Sequence, residues 1–138
     1  MDIKQISVFL ENNAGRLAEV TRVLAEGGIN IRAISIADTA DFGILRLIVD
    51  KNDDAVKTLN GGGFTTRQTS VAAVEINDTP GSLAAVMELF SKNNVNIEYL
   101  YASLEGQAGK AVVIFKLEDH EKGLAIIKEN GLSTIDHF

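Results

Sequence analysis

Apolar and polar positions alternate from Ile3 to Leu10, with Ile6, Val8 and Leu10 on one parity, the pattern of a half-buried strand. Lys4 shares that parity at the frayed start. From Arg16 the period lengthens. Leu17, Val20 and Leu24 recur at helical spacing, Glu19, Arg22 and Glu26 fall off the stripe, and Gly27-Gly28 ends the helix. Strands are predicted over Ile29 to Ala37 and Ile44 to Val49, with turn residues from Asp38 to Gly43 between them. A short helix from Asp53 to Leu59 stops at Gly61-Gly62-Gly63, and Phe64 to Thr69 is a fourth, more polar strand. The order then recurs. A strand over Val71 to Ile76 leads to a helix over Gly81 to Lys92 whose apolar stripe is Leu83, Val86, Met87 and Phe90. Strands over Val95 to Leu104 and Lys110 to Leu117, a helix over Glu121 to Glu129 ended by Gly131, and a last strand over Leu132 to Phe138 complete it.

The recurrence is visible in the residues themselves. Asn13-Ala14-Gly15-Arg16-Leu17-Ala18 and Thr79-Pro80-Gly81-Ser82-Leu83-Ala84 each follow an apolar run, and their glycines are 66 positions apart. Asn30-Ile31 and Asn96-Ile97 keep the same offset of 66. A repeat held in step across both a glycine turn and a strand entry means two copies of one small unit. After the second strand the offset grows to 68, which places two extra residues around Gly106 to Gly109, at a hairpin tip.

The order β-α-β-β-α-β, twice, predicts an α+β fold. It consists of two ferredoxin-like units in tandem, each an antiparallel sheet with its helices on one face. The expected units are residues 1–69 and 70–138. Each is near the lower size limit for an independent core. No polar spacer separates Ser70 from Val71, so a rigid pair joined edge to edge is expected.

Composition narrows the chemistry. The 138 residues contain no cysteine, which excludes thiolate catalysis, disulfides and zinc-thiolate sites. A net charge of −6 argues against nucleic acid, whose phosphates need a basic face. No apolar stretch reaches the ~18 residues of a membrane span and no leader pattern opens the chain, so a cytoplasmic protein without membrane contact is expected. The glycine turns leave backbone N–H groups at a helix start, where a carboxylate or phosphate can bind.

Taken together, an apolar strand, then Asn/Asp-x-(Pro)-Gly-x-Leu, then an apolar helix and an Asn-Ile strand entry make a pattern that resembles the ACT domain family of amino-acid-binding regulatory modules. The matching residues are Asn12-Asn13-Ala14-Gly15-Arg16-Leu17 with Gly28-Ile29-Asn30-Ile31, and Asp78-Thr79-Pro80-Gly81-Ser82-Leu83 with Asn94-Val95-Asn96-Ile97. The resemblance covers almost the whole chain as two tandem copies, like stand-alone ACT pairs that carry no catalytic domain. It implies a ligand held where two units meet, between the turn of one and the second strand of its neighbour. The implied ligand-binding residues are Asn12 to Leu17, Asn30, Ile31, Asp78 to Leu83 (Asp78, Thr79, Pro80, Gly81, Ser82 and Leu83), Asn96 and Ile97; Tyr99 joins the candidates from its place on the second copy's strand. Ala14 departs from the proline usual at that place. Proline presets φ there and lacks an N–H that would go unpaired anyway, so the first turn is expected to be looser.

Plainer readings stand beside these. Gly15 and Gly81 also serve as simple strand-to-helix turns. Asn30 and Asn96 read equally as turn formers in the left-handed region or as ligand contacts. Arg16 fits a solvated first-turn residue or an anion ligand. Tyr99 and Tyr101, where the first copy has Ala33 and Ser35, fit packing between units or a ligand wall. Asp53-Asp54 caps its helix, His120 and His137 have no metal-ligand spacing, and the glycine run at 61–63 lacks the Gly-Lys-Ser/Thr of a phosphate loop. The expected function is a non-catalytic regulator that binds a free amino acid, forms a homodimer and uses no metal or cofactor. The alternative is a regulatory subunit similar to the acetolactate synthase small subunit, which acts mainly through contact with a biosynthetic enzyme.

Overall fold

The computed structural model describes residues 3–11, 13–38, 41–104 and 107–136. The chain divides into two compact units, one running from Lys4 to Thr69 and one beginning at Ser70. The first contains β1 (Ile3–Glu11), α1 (Arg16–Glu26), β2 (Ile31–Asp38), β3 (Phe42–Val49), α2 (Asn52–Gly61) and the start of β4 (Thr65–Asn77). Its strands lie in the order β2-β3-β1-β4. The second contains the remainder of β4, α3 (Ser82–Lys92), β5 (Ile97–Ala102), β6 (Lys110–Leu117), α4 (His120–Glu129) and β7 (Ser133–Ile135), in the order β5-β6-β4-β7. Both units thus follow the predicted β-α-β-β-α-β course.

One difference concerns β4. The sequence suggests two strands meeting near Ser70, but Thr65–Asn77 is one strand of 13 residues. Nothing between Thr69 and Val71 forces a turn, because no glycine or proline supplies one. The final strand is shorter than predicted, and residues 137 and 138 of that prediction, with His137, lie outside the described residues.

Each unit has its own apolar core beneath its helices. In the first, Ile6, Val8 and Leu10 of β1 meet Leu45 and Leu47 of β3 and Val20 and Leu24 of α1. The register opposes Ile6 to Leu47 and Val8 to Leu45, so the alternation in β1 and β3 presents one continuous apolar face to the helices. In the second, Phe90 of α3 packs edge-on against Phe115 of β6, with ring centroids 5.3 Å apart. Such a pair contributes about 0.5–1.5 kcal/mol beyond its buried area.

Among the described residues the four helices α1 to α4 stop in one way, with a left-handed residue followed by an apolar one whose N–H reaches back a turn and a half. Ile29 N–H donates to the Leu24 carbonyl, Phe64 to Leu59, Val95 to Phe90 and Leu132 to Ile127. The left-handed positions are Gly28, Gly63, Asn94 and Gly131. Asn94 is the sole non-glycine residue at positive φ among the described residues. The left-handed role that the sequence reading offered Asn30 and Asn96 therefore belongs to Gly28 and Asn94, two residues earlier.

Candidate functional site

Both copies build the same turn between their first strand and first helix. Arg16 N–H donates to the Asn13 carbonyl and Ser82 N–H to the Thr79 carbonyl, each at 3.3 Å. The third residue of each turn has positive φ, 88° at Gly15 and 89° at Gly81. This is a type II turn, in which only glycine is unstrained at that position. Pro80 fills the second position of one turn and Ala14 that of the other.

The glycines then act as helix N-caps without a side-chain cap. The first helical bonds run from Glu19 to Gly15 and from Ala85 to Gly81. The amides of Leu17, Ala18, Leu83 and Ala84 lie ahead of those bonds and have no helical acceptor. They are donors at the positive end of a helix dipole, a setting that favours an anion by roughly 0.3–1 kcal/mol when exposed.

Leu17 and Leu83 depart from their predicted place in the core stripes. They are 41% and 37% exposed, whereas Val20, Leu24, Val86 and Phe90 are buried. A helical side chain leans toward its own N-terminus, so a first-turn leucine covers the glycine turn rather than the sheet. Each turn therefore offers unsatisfied amides beside an exposed apolar group. Arg16 has a neighbour of its own, with its guanidinium 4.6 Å from the Phe64 ring centre and 3.1 Å from Glu19. The Arg16 guanidinium is thus engaged within its own unit, by a carboxylate and an aromatic face. Asn13 donates to Glu11 at 3.0 Å, and Asn12 lies outside the described residues.

The Asn-Ile pairs sit at the other end of each helix. The 11 residues of α1 or α3 separate turn from strand entry by about 16 Å at 1.5 Å per residue. A free amino acid is far shorter. The turn and the strand entry of one unit therefore do not meet on one such molecule.

At the strand entries the two copies differ in detail. Asp50 Oδ1 accepts from the backbone N–H of Asn30 at 3.0 Å, whereas Glu118 Oε2 accepts from the side-chain amide of Asn96 at 3.0 Å. Lys51 and Lys122 donate to the carbonyls of Gly28 and Asn94 at 3.4 and 3.2 Å. A β-bulge follows in both, between Ile31 and Ala33 and between Ile97 and Tyr99. The extra residue turns Tyr99 to the sheet face opposite Ile97, beside Lys116, and Tyr101 on the same face is buried. In the second unit Met87, Ser91, Asn94, Val95, Asn96 and Ile97 line a cleft of about 390 Å³.

Sequence reading missed Asp50, Glu118 and both bulges. The acids were findable, since each follows the third strand of its copy at the offset of 68. Among the described residues no group of three or more His, Cys, Asp or Glu could hold a metal ion, and no helix is long and apolar enough to cross a membrane.

Comparison with known proteins agrees with this architecture. The crystal structure of protein BT0572 from Bacteroides thetaiotaomicron is similar over 98% of this chain and 92% of its own, at 40% identity and a TM-score of 0.92. The ligand-free regulatory subunit of aspartate kinase from Thermus thermophilus matches over 93% of this chain and 91% of its own, at 21% identity and a TM-score of 0.65. The corresponding subunit from Thermus flavus matches over 94% and 92%, at 21% identity and a TM-score of 0.63. At that identity the two Thermus structures show the fold alone. No curated protein matches. A family model described as an ACT domain pair matches residues 1–137, and with two such units, each opening its first helix on an uncapped glycine turn, this chain belongs to the ACT domain family as an ACT domain pair.

Proposed function

We propose that this ACT pair is a non-catalytic, cytoplasmic regulator that binds a free amino acid between the turn of one unit and the second strand of another. The observation that carries the reading is the repeated turn. At Gly15 and at Gly81, amides without a helical acceptor sit beside an exposed leucine. The amides suit a carboxylate, the leucine suits aliphatic carbon, and the strand entry contributes an Asn for the ammonium. Because the two features of one unit are a helix length apart, the ligand ties two units together. Binding then stabilises that union, within the chain or in a homodimer, and a coupling of this kind is worth about 1–3 kcal/mol.

The test is a thermal-shift screen of the purified chain against each of the twenty amino acids at millimolar concentration. A ligand at 100 times its dissociation constant adds about 2.7 kcal/mol, which raises the midpoint by several degrees. One amino acid or a related few should do so. A cooperative, ligand-free protein whose midpoint moves with none of them sinks the reading.

A second reading, in which contact with a biosynthetic enzyme is the main task, has its own support. Phe9 and Phe42 are 39% and 55% exposed on the sheet face away from the first unit's helices, around Ile44. The second copy carries Glu75 and Lys110 at those places. A stable hetero-complex lost on Phe42→Glu, without any amino-acid effect, favours it.

A further inference from the structure

The two strand entries differ by one methylene, and the difference changes what each presents. In the first unit the shorter Asp50 reaches only the Asn30 backbone N–H, and no hydrogen bond reaches the Asn30 side chain among the described residues. In the second unit Glu118 reaches past the backbone and accepts from Nδ2 of Asn96 at 3.0 Å, while its own N–H donates to the Asn96 carbonyl at 2.9 Å. A carboxylate only accepts, so the NH₂ end of the Asn96 amide must face Glu118. The Oδ1 end is turned away as an acceptor, and no described residue donates to it. Asn96 lines the cleft of about 390 Å³, whose other walls include Met87, Ser91, Val95 and Ile97. The cleft therefore combines a fixed oxygen acceptor and the nearby Glu118 carboxylate with the side chains of Met87 and Ile97, and Lys122 stands beside it on the Asn94 carbonyl. A fixed oxygen acceptor suits the ammonium of an amino acid, which only donates.

Resting on the function proposed above, we infer that Glu118 is a positioning residue. It fixes Asn96 so that Oδ1 accepts from the ligand's ammonium, and it makes the second unit's strand entry the ammonium-selective one. Asn30, with no acid on its side chain, lacks this selectivity. The first copy also has Thr21 and Ala25 where the cleft has Met87 and Ser91, so the lining differs as well.

The experiment is calorimetric titration of the full chain and of Glu118→Gln, Glu118→Asp and Asp50→Asn. Each of the twenty amino acids is titrated separately, and then the 2-hydroxy acid analogue of whichever binds. Glutamine can present either end of its amide to Asn96, and aspartate repeats the short reach seen in the first unit. Both variants should lose about tenfold to a hundredfold in amino-acid affinity, the worth of a hydrogen bond to a charged group. Their affinity for the hydroxy acid, whose hydroxyl offers Oδ1 only a neutral donor, should fall by less than about tenfold, so that the preference for the ammonium narrows. Asp50→Asn should keep that preference. Equal weakening of amino acid and hydroxy acid would mean a merely structural role and overturn the inference. So would a Glu118→Gln chain that binds and discriminates like the parent, although amino-acid sensing would then stand. A parent chain that binds no amino acid removes both.

Discussion

Replacing Gly81 by alanine isolates the backbone cost of the second turn. At φ 89° and ψ −12° the residue lies in the left-handed region, and a Cβ added there would have no heavy atom within 4 Å. No clash confuses the result, so the whole effect comes from conformation. Holding an L-residue left-handed costs about 1–2 kcal/mol, and alanine recovers about 0.4–1 kcal/mol by restricting the unfolded chain. From the middle of both ranges the net loss is about 0.8 kcal/mol, or about 3 °C in midpoint for a chain of this size. Thermal melting followed by circular dichroism reads the shift, and a urea titration should show a lower midpoint with an unchanged slope. Gly81→Asn should lose less than half as much, because asparagine enters the left-handed region more readily. A Gly81→Ala chain that melts within 1 °C of the parent, or a Gly81→Asn chain that is no better than the alanine variant, would refute the turn geometry. Gly15→Ala should reproduce the effect, since its φ of 88° and its open surroundings are the same.

The second position of the first turn leads to a gain. Ala14 N–H donates no hydrogen bond among the described residues, and its counterpart is Pro80, so Ala14→Pro should stabilise the chain by about 0.4–1 kcal/mol. A lower melting midpoint would show that the two turns are not alike. Gly123, buried on α4, has no such room, because a Cβ there would overlap Leu117 Cδ1, itself fully buried. Overpacking costs about 1–3 kcal/mol against about 1 kcal/mol of helix propensity gained, so Gly123→Ala should lower the urea midpoint. A rise would mean that Leu117 yields freely.

How much of the site was readable follows the same line between near and far. The glycine turns were readable because a positive φ and a helix start depend on neighbouring residues, and Gly15 and Gly81 carry that requirement themselves. The exposure of Leu17 and Leu83 was not. A helical period assigns them to the core stripe, but only the end of the helix decides whether a sheet lies beneath them. For Asn30 and Asn96 the turn-forming reading, held equal with ligand contact, came from their place just after helices. The helices in fact close two residues earlier, where the N–H of Ile29 and of Val95 returns to a carbonyl five residues back.

What the sequence alone determined is the duplication, the kind and order of the elements, and the local chemistry of the two turns, because these arise from side-chain periodicity and backbone preference within a few residues. The tertiary structure decided what required distant residues to be set in register. It ran Thr65–Asn77 through as one strand, placed bulges after Ile31 and Ile97, and turned Tyr99 to the face away from the helices. It also set Glu118 against the side chain of Asn96 but Asp50 against the backbone of Asn30. That last distinction spans 22 residues in one copy and 20 in the other. It turns on whether an acid one methylene longer reaches an amide across the strand entry, a question of distance in space that spacing along the chain does not contain.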